Sequence, residues 1–256
     1  MTGSGPTRGK WELPLAETPD YSVIIPFYNE ADAIPALLDE VLALFRKMPG
    51  ISECICIDDG STDNTKVVLD RFAEEVGAVI RVVHFPRNRG QAAALYRGLQ
   101  EARGQILCTL DGDGQNDPSD IPMLLAHLEQ ADLVCGIRAD RNDTLLRRGM
   151  SRLANRIRGR VLGDGMRDSG CALKVMKREV ITAFLPIRTL YSFIPAFAVA
   201  SGFKVAEVPV RHRARNGGIS NYGLRAFALM PLVDMLGLFW FRKRCVLVPA
   251  DCRTQY

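Results

Sequence analysis

Apolar residues fall along this chain in two alternating rhythms. Short runs rich in β-branched side chains recur at 21–26, 53–58, 80–84, 105–110 and 133–136, which predicts strands buried on both faces. Between them the spacing turns helical: Ile34, Leu37, Leu38, Val41, Leu42 and Phe45 lie on one face of a helix predicted over 33–47. Further helices are predicted over 63–76, 91–102 and 118–128, the last with Pro118 in its first turn. Strand and helix therefore alternate four times, which predicts an α/β fold: a mainly parallel sheet flanked by helices. Ligands of such sheets gather outside the carboxyl ends of the strands. Here those ends carry Asn29-Glu30, Asp58-Asp59, His84 and Asp111 to Asp113, mostly acidic.

Past Gly136 the pattern changes. A helix studded with arginine is predicted over 145–162, strands over 171–176 and 204–212, and a glycine-containing loop over 214–222. Residues 226–241 are almost entirely apolar, between Arg225 and Arg242-Lys243-Arg244. A bilayer span needs about 20 residues, and this segment is shorter, with Asp234 in its middle and Pro231 expected to disturb a helix. It reads as an interfacial or re-entrant helix, an ordinary buried helix, or a surface for a membrane partner. Residues 1–20 are polar and hold Gly3, Gly5, Pro6, Gly9, Pro14 and Pro19. They read as a mobile tail anchored at Trp11, with no secretory signal. The expected division is this tail, a catalytic domain over 21–224 with halves meeting near 137, and a membrane-associating segment over 225–256.

Composition sharpens this. The 256 residues are 47% hydrophobic and 24% charged, too apolar for a disordered chain and too polar for a polytopic membrane protein. Net charge is only +4, but it is unevenly spread: residues 1–137 hold 11 basic and 21 acidic side chains, residues 138–256 hold 22 and 8. Eight arginines stand between Arg138 and Arg160, and Arg148, Arg152, Arg156 and Arg160 recur every fourth residue. That stripe is either a solvated helix face or one laid on an anionic leaflet; no nucleic-acid partner is expected. The seven cysteines form no C-x-x-C pair and sit mostly in apolar runs, as reduced core thiols of a cytosolic protein do.

Three strand ends carry candidate chemistry. In Asp111-Gly112-Asp113-Gly114-Gln115 two carboxylates two residues apart can share a hard cation, with an amide oxygen beside them and substrate phosphates completing the shell. The glycines let a diphosphate approach the backbone; a polar turn before the helix at Pro118 is the alternative. Asp58-Asp59-Gly60-Ser61-Thr62-Asp63 is expected to cap the next helix through Ser61 or Thr62, and to offer Asp58 or Asp59 to a nucleotide. Pro26-Phe27-Tyr28-Asn29-Glu30 could stack on a base and bond a ribose.

Together with Asn88 to Ala94 (NRGQAAA), these motifs resemble glycosyltransferase family 2 over roughly 21–241. The resemblance implies a GT-A fold, a nucleotide-diphosphate sugar donor and Mg²⁺ or Mn²⁺. It places Pro26, Tyr28, Glu30, Asp58, Asp59, Gln91 and Asp111 around the donor, makes Asp111, Asp113 and Gln115 the cation ligands, and gives Asp113 and Arg138 catalytic roles. Gly136-Ile-Arg138, Arg147 and Ser151, Asp168-Ser169-Gly170, and Arg215-Asn-Gly-Gly-Ile-Ser220 are similar to the dolichol-phosphate mannosyltransferase branch. By that resemblance Arg138, Arg147, Ser151, Arg215 and Ser220 hold the phosphate of a polyprenyl phosphate. The enzyme would then act with inversion at the cytoplasmic face of an anionic membrane, with a membrane subunit or a homo-oligomer left open. Asn221 departs from the lysine of many relatives.

The chemistry agrees. A hydroxyl acceptor needs a general base, and the later Glu-Asp dipeptide of family 2 members of that kind is absent, while His84, His127 and His212 are scattered. A phosphate monoester, with a second pKa of about 6, attacks without one. The enzyme must then hold two anions together, which calls for arginine on one side and a cation on the other. Transfer to a glycan or protein hydroxyl, a sugar nucleotidyltransferase and a non-enzymatic lipid-binding subunit are the rival readings.

Overall fold

The strand runs are too apolar to face water, and they pair into one sheet. The computed structural model describes residues 18–138, 158–213 and 226–244, the last without the side chains of 226–232 and 242. Strands β1 (Tyr21–Phe27), β2 (Ser52–Asp58), β3 (Ile80–His84), β4 (Ile106–Thr109), β5 (Leu133–Arg138), β6 (Lys174–Lys177) and β7 (Val205–Val210) stand in the order β3-β2-β1-β4-β6-β5-β7. Every pairing is parallel except those of β6, which runs against both β4 and β5. Helices α1 (Ile34–Phe45), α2 (Thr65–Val76), α3 (Gln91–Glu101), α4 (Ile121–Leu125), α5 (Leu190–Ala200) and α6 (Ala226–Arg244) accompany the sheet. The expected mainly parallel α/β architecture is the observed one.

Strand pleating divides the core into two layers. Val23, Ile25, Cys54 and Cys56 pack with Leu38 and Leu42 of α1 and Leu69 and Phe72 of α2. Ile24, Ile55 and Ile57 pack on the other face with Leu95 of α3, Phe193 and Phe197 of α5, and Leu238 of α6. Cys54, Cys56, Cys108, Cys135 and Cys171 are free thiols in this core; Cys245 and Cys252 lie outside the described residues.

Register delivers the strand ends together. Phe27 pairs with Asp58 and Asp58 with His84, so the turns after β1, β2 and β3 leave the sheet side by side. Between β1 and β4 the order of connection reverses, which opens a crevice at the switch point. The glycines of the two acidic motifs have steric reasons. A Cβ on Gly112 would fall 2.5 Å from the Phe27 ring and 2.7 Å from the Pro26 carbonyl oxygen. Gly60 has φ +67°, and its Cβ would meet the Arg87 backbone at 2.3 Å.

Several expectations need correction. The helix over 118–128 is only five residues of α-helix between 3₁₀ turns Pro118–Asp120 and Ala126–Glu129, because Asp117 turns back to Ser119 N and Arg211 holds Asp120. The strand expected from Cys171 begins at Lys174: the carbonyls of Cys171 and Ala172 accept side-chain bonds from Lys174 Nζ and Thr109 Oγ1. Helix α6 runs through Pro231 unbroken. Of the arginine-rich helix, 158–162 is helical and the earlier part lies outside the described residues.

At the opposite rim a buried acid ties the sheet together. Glu53, wholly buried, accepts from Ser22 Oγ at 2.7 Å, from Arg103 N at 2.6 Å and Nε at 3.1 Å, and from Arg81 Nη1 at 3.4 Å. Without it the Ser22 hydroxyl and the Arg103 N–H lose their acceptor, at about 1–3 kcal/mol each, while the partly exposed Arg81 and Arg103 side chains return to water. Glu53→Ala is therefore expected to lower unfolding free energy by roughly 3 kcal/mol in urea titrations; a change under about 1 kcal/mol would show that the network is not structural.

Candidate active site

The turns after β1 and β2 are laced to each other. Asn29 takes a left-handed φ of 55°, and its N–H donates to Ser61 Oγ at 3.0 Å while its Oδ1 accepts from Thr62 N at 2.8 Å. The Glu30 N–H donates to Thr65 Oγ1 at 2.9 Å. Ser61 and Thr62 thus serve this cross-loop lattice and do not cap α2; Thr65 N donates to Asp63 Oδ1 at 2.9 Å. Asp58 is also committed: Oδ1 accepts from Ser61 N at 2.9 Å, and Oδ2 lies 2.9 Å from His84 Nδ1, whose Nε2 reaches Asp70. Asp59 accepts from Arg89 N at 2.7 Å and Gly90 N at 2.8 Å. Burial raises its pKa, and those two N–H bonds oppose the rise. Both aspartates hold the loops after β2 and β3 in place, with Pro26 buried and Tyr28 and Glu30 half-buried at the rim.

The turn after β4 carries the predicted cation ligands. Asp111 accepts from Gln91 Nε2 at 2.6 Å on Oδ1 and from the Tyr191 hydroxyl at 3.0 Å on Oδ2. Burial, with the charge of Asp113 beside it, pushes Asp111 up to about 6, against the Tyr191 bond and the charges of Lys174 and Arg138. Asp113 Oδ1 accepts from Gln115 N at 3.0 Å, and Gln115 Nε2 donates to the Arg213 carbonyl at 3.3 Å. An acid withdrawn from water next to a second acid is the environment a divalent cation relieves. With the amide nitrogen of Gln115 spent on a carbonyl, its oxygen is the atom left to ligate. Among the described residues no cluster of three or more His, Cys, Asp or Glu could hold a metal; a cation at this turn would draw on two carboxylates and an amide, with substrate oxygens completing its shell, as at Mg²⁺ sites.

Arg138, at the end of β5, does not stand free. Its Nε and Nη2 donate to Asp168 at 2.8 and 2.7 Å, and its backbone N–H to the same acid at 3.2 Å. Asp168 is held in turn, its N–H donating to Glu207 of β7 at 3.1 Å. The bidentate pair fixes the guanidinium plane with two of its five N–H groups. Gly170 closes against it: a Cβ there would lie 3.0 Å from Arg138 Nη2. Arg147, Ser151, Arg215, Ser220 and Asn221 lie outside the described residues. The chain up to Arg213 is described, and it is clasped to the turn after β4. Arg213 reaches Asp117 at 2.6 Å and Glu40 at 2.7 Å, Arg211 reaches Asp120 at 2.6 Å, and Arg213 N donates to Gln115 O at 2.9 Å.

Sequence reasoning missed three contributors: Tyr191, Lys174 and Arg213. Tyr191 opens α5, a helix buried along most of its length whose pattern offers no polar face. The available signal was a tyrosine in an apolar run, because a buried phenol needs a partner. Gln91, expected at the nucleotide, donates from Nε2 to Asp111 Oδ1.

Helix α6 leans on α5. Phe241 meets Phe197 edge-on at 6.4 Å, Leu238 is buried, and Asp234 accepts from Thr189 Oγ1 at 2.6 Å, which accounts for an acid in an apolar segment. Val233, Leu236 and Trp240 stay about 60% exposed on the other side, with Lys243 over the Phe239 ring and Arg244 over that of Trp240. Among the described residues no helix is long and apolar enough to cross a membrane.

Comparison with known proteins places this geometry. The chain is 36% identical over 230 residues to the dodecaprenyl-phosphate galacturonate synthase of Rhizobium johnstonii, covering 88% of this chain and 68% of that protein. It is 38% identical over 216 residues to the undecaprenyl-phosphate 4-deoxy-4-formamido-L-arabinose transferase of Edwardsiella ictaluri, covering 84% and 65%; it thus spans about two thirds of these relatives. The glucosyl-3-phosphoglycerate synthase of Mycobacterium tuberculosis, crystallised with Mn²⁺, uridine diphosphate and glucosyl-3-phosphoglycerate, shares the fold with a TM-score of 0.64 at 20% identity over 96% of this chain and 90% of that one. The family model for glycosyl transferase family 2 matches residues 22–184. Its acidic strand ends and its relatives agree: this chain belongs to glycosyl transferase family 2.

Proposed function

We infer that this chain transfers one sugar, with inversion, from a nucleotide-diphosphate sugar to a polyprenyl phosphate. The observation that carries the reading is the juxtaposition of a half-buried acidic turn and an immobilised guanidinium. Asp111 and Arg138 act electrostatically on each other, and one hydroxyl, that of Tyr191, touches both Asp111 and the Gly170 turn beside Arg138. Two anions, a leaving diphosphate and an attacking phosphate, need opposite charges on the two sides of the reacting carbon. The names of the relatives, a dodecaprenyl-phosphate and an undecaprenyl-phosphate sugar transferase, support the acceptor class.

Asp111, Asp113 and Gln115 would hold Mg²⁺ or Mn²⁺, which when bound supplies charge for the leaving diphosphate. The lattice of Asn29, Ser61 and Thr62 keeps the donor loops in place, with Tyr28 and Glu30 toward the nucleotide. Asp59 fixes the start of α3 and so the position of Gln91. Arg138, aimed by Asp168, binds the acceptor phosphate together with Arg147, Ser151, Arg215 and Ser220. The phosphate needs no base, so no side chain has to take a proton. The exposed stripe of α6 with its terminal cations would rest in the headgroups of an anionic leaflet at the cytoplasmic face, placing the active site where the lipid phosphate emerges.

Incubation with labelled nucleotide sugars, polyprenyl phosphate and Mn²⁺ or Mg²⁺ is expected to move label into an organic extract. Asp113→Ala should reduce that transfer at least a hundredfold; label found only on a water-soluble acceptor would overturn the acceptor assignment. Because Asp111 is pushed up to about 6 by burial and Asp113, its ionisation opposes folding between its unfolded value of about 4 and about 6. In the cation-free protein this group's stability contribution is present at low pH and lost as pH rises through that window. Mn²⁺ should therefore raise the melting temperature most above pH 6 and progressively less toward pH 5, where protons compete; a pH-independent shift would refute the site. On the membrane side, Trp240→Ser with Lys243→Ser should abolish sedimentation with vesicles containing anionic lipid while leaving the melting temperature unchanged. Unaltered sedimentation would remove α6 from the contact.

A further inference from the structure

The Tyr191 hydroxyl stands where the two halves of the proposed site meet. It lies 3.0 Å from Asp111 Oδ2 and 3.3 Å from the Gly170 carbonyl oxygen. A phenol has one proton to donate, so these acceptors compete for it. The carboxylate is the stronger acceptor while it carries its full charge, and the carbonyl is the alternative. The Gly170 turn also carries Asp168, the acid that aims Arg138. The ring is fixed independently of the hydroxyl. Lys174, wholly buried on β6, donates to the Cys171 carbonyl and places its Nζ 4.6 Å from the Tyr191 ring centroid. Gln91 holds the other oxygen of Asp111, so that carboxylate is gripped from α3 and α5 at once.

We propose that Tyr191 is a positioning residue: its hydroxyl presets the Asp111 carboxylate for the divalent cation and passes its proton toward the Gly170 carbonyl when the cation draws charge from that carboxylate. No covalent bond is made or broken; a single hydrogen bond changes acceptor. The consequence is that the cation turn and the turn supporting Arg138 report on one another through one hydroxyl. This rests on the cation reading of Asp111 and Asp113 given above. Groups that orient a ligating carboxylate typically contribute 10–100-fold to metal affinity, and this one acts through Asp111 without touching either substrate.

Tyr191→Phe isolates the role, because the ring and its contact with Lys174 persist while the hydroxyl is lost. Mn²⁺ binding in the presence of uridine diphosphate, read by electron paramagnetic resonance, should weaken about tenfold or more. The melting temperature without cation should stay within a few degrees of the parent, and turnover should recover largely at saturating Mn²⁺. A dissociation constant within twofold of the parent would overturn the positioning role, provided Asp113→Asn abolishes binding. Absence of saturable Mn²⁺ binding in the parent would instead refute the cation site itself. Should Tyr191→Phe fold poorly, 3-fluorotyrosine placed at position 191 alone keeps the hydroxyl. Its fluorine resonance should shift on saturation with Mg²⁺, and an unmoved resonance would refute the change of hydrogen-bond acceptor.

Discussion

The structure turns on one electrostatic constraint, the withdrawal of Asp111 from water at the end of β4. A buried carboxylate is costly unless donors or a cation meet it. Gln91 and Tyr191 supply two hydrogen bonds, yet burial and the neighbouring Asp113 still push the group up to about 6. Much of the local architecture follows from keeping that acid in place. Asp59 pins the N-terminus of α3 and thereby Gln91. Lys174 and the packing of α5 hold the Tyr191 ring. Gly112 lets the turn lie against Phe27. The constraint reaches across the sheet, because these groups come from β2, α3, β6 and α5.

The second demand is to bring positive charge to the same rim without losing it to the acids already there. Arg138 is gripped bidentately by Asp168, which fixes the guanidinium plane with two of its five N–H groups. Glu207 holds the Asp168 turn from β7, and Arg211 and Arg213 carry the chain beyond β7 back to the cation turn. The Arg138 side of the rim is thus hung from the far edge of the sheet. The unequal division of charge between the two halves of the sequence is the one-dimensional shadow of this arrangement.

Much of the fold was legible because it is written in periodicity. The first five strands and first three helices fall within a few residues of their expected places, since strands buried on both faces and one-sided helices leave strong local patterns. The less legible parts share a cause. Residues 118–128 read as one helix, but side chains distant in sequence, above all Arg211, compete for its first turn. Helix α5 lies among apolar neighbours and offers no polar face to betray its period. Asp58 and Asp59 stand at the rim as expected, but most of what they and Gln91 touch could not be read locally: the partners His84, Arg89 and Asp111 reach them through tertiary contact.

The sequence by itself determined the α/β class, the strand ends that carry acid, and the split into an acidic and a basic half. These depend on residue type and short-range spacing, which the chain states directly. Only the tertiary structure decided that Asp111 is the member of its pair gripped by Gln91 and Tyr191, that Lys174 stands behind that tyrosine, and that Arg138 is held by Asp168. Burial and hydrogen bonding are properties of groups brought together from 20 to 80 residues apart, and no local pattern encodes which of many possible partners the packing of the sheet will select.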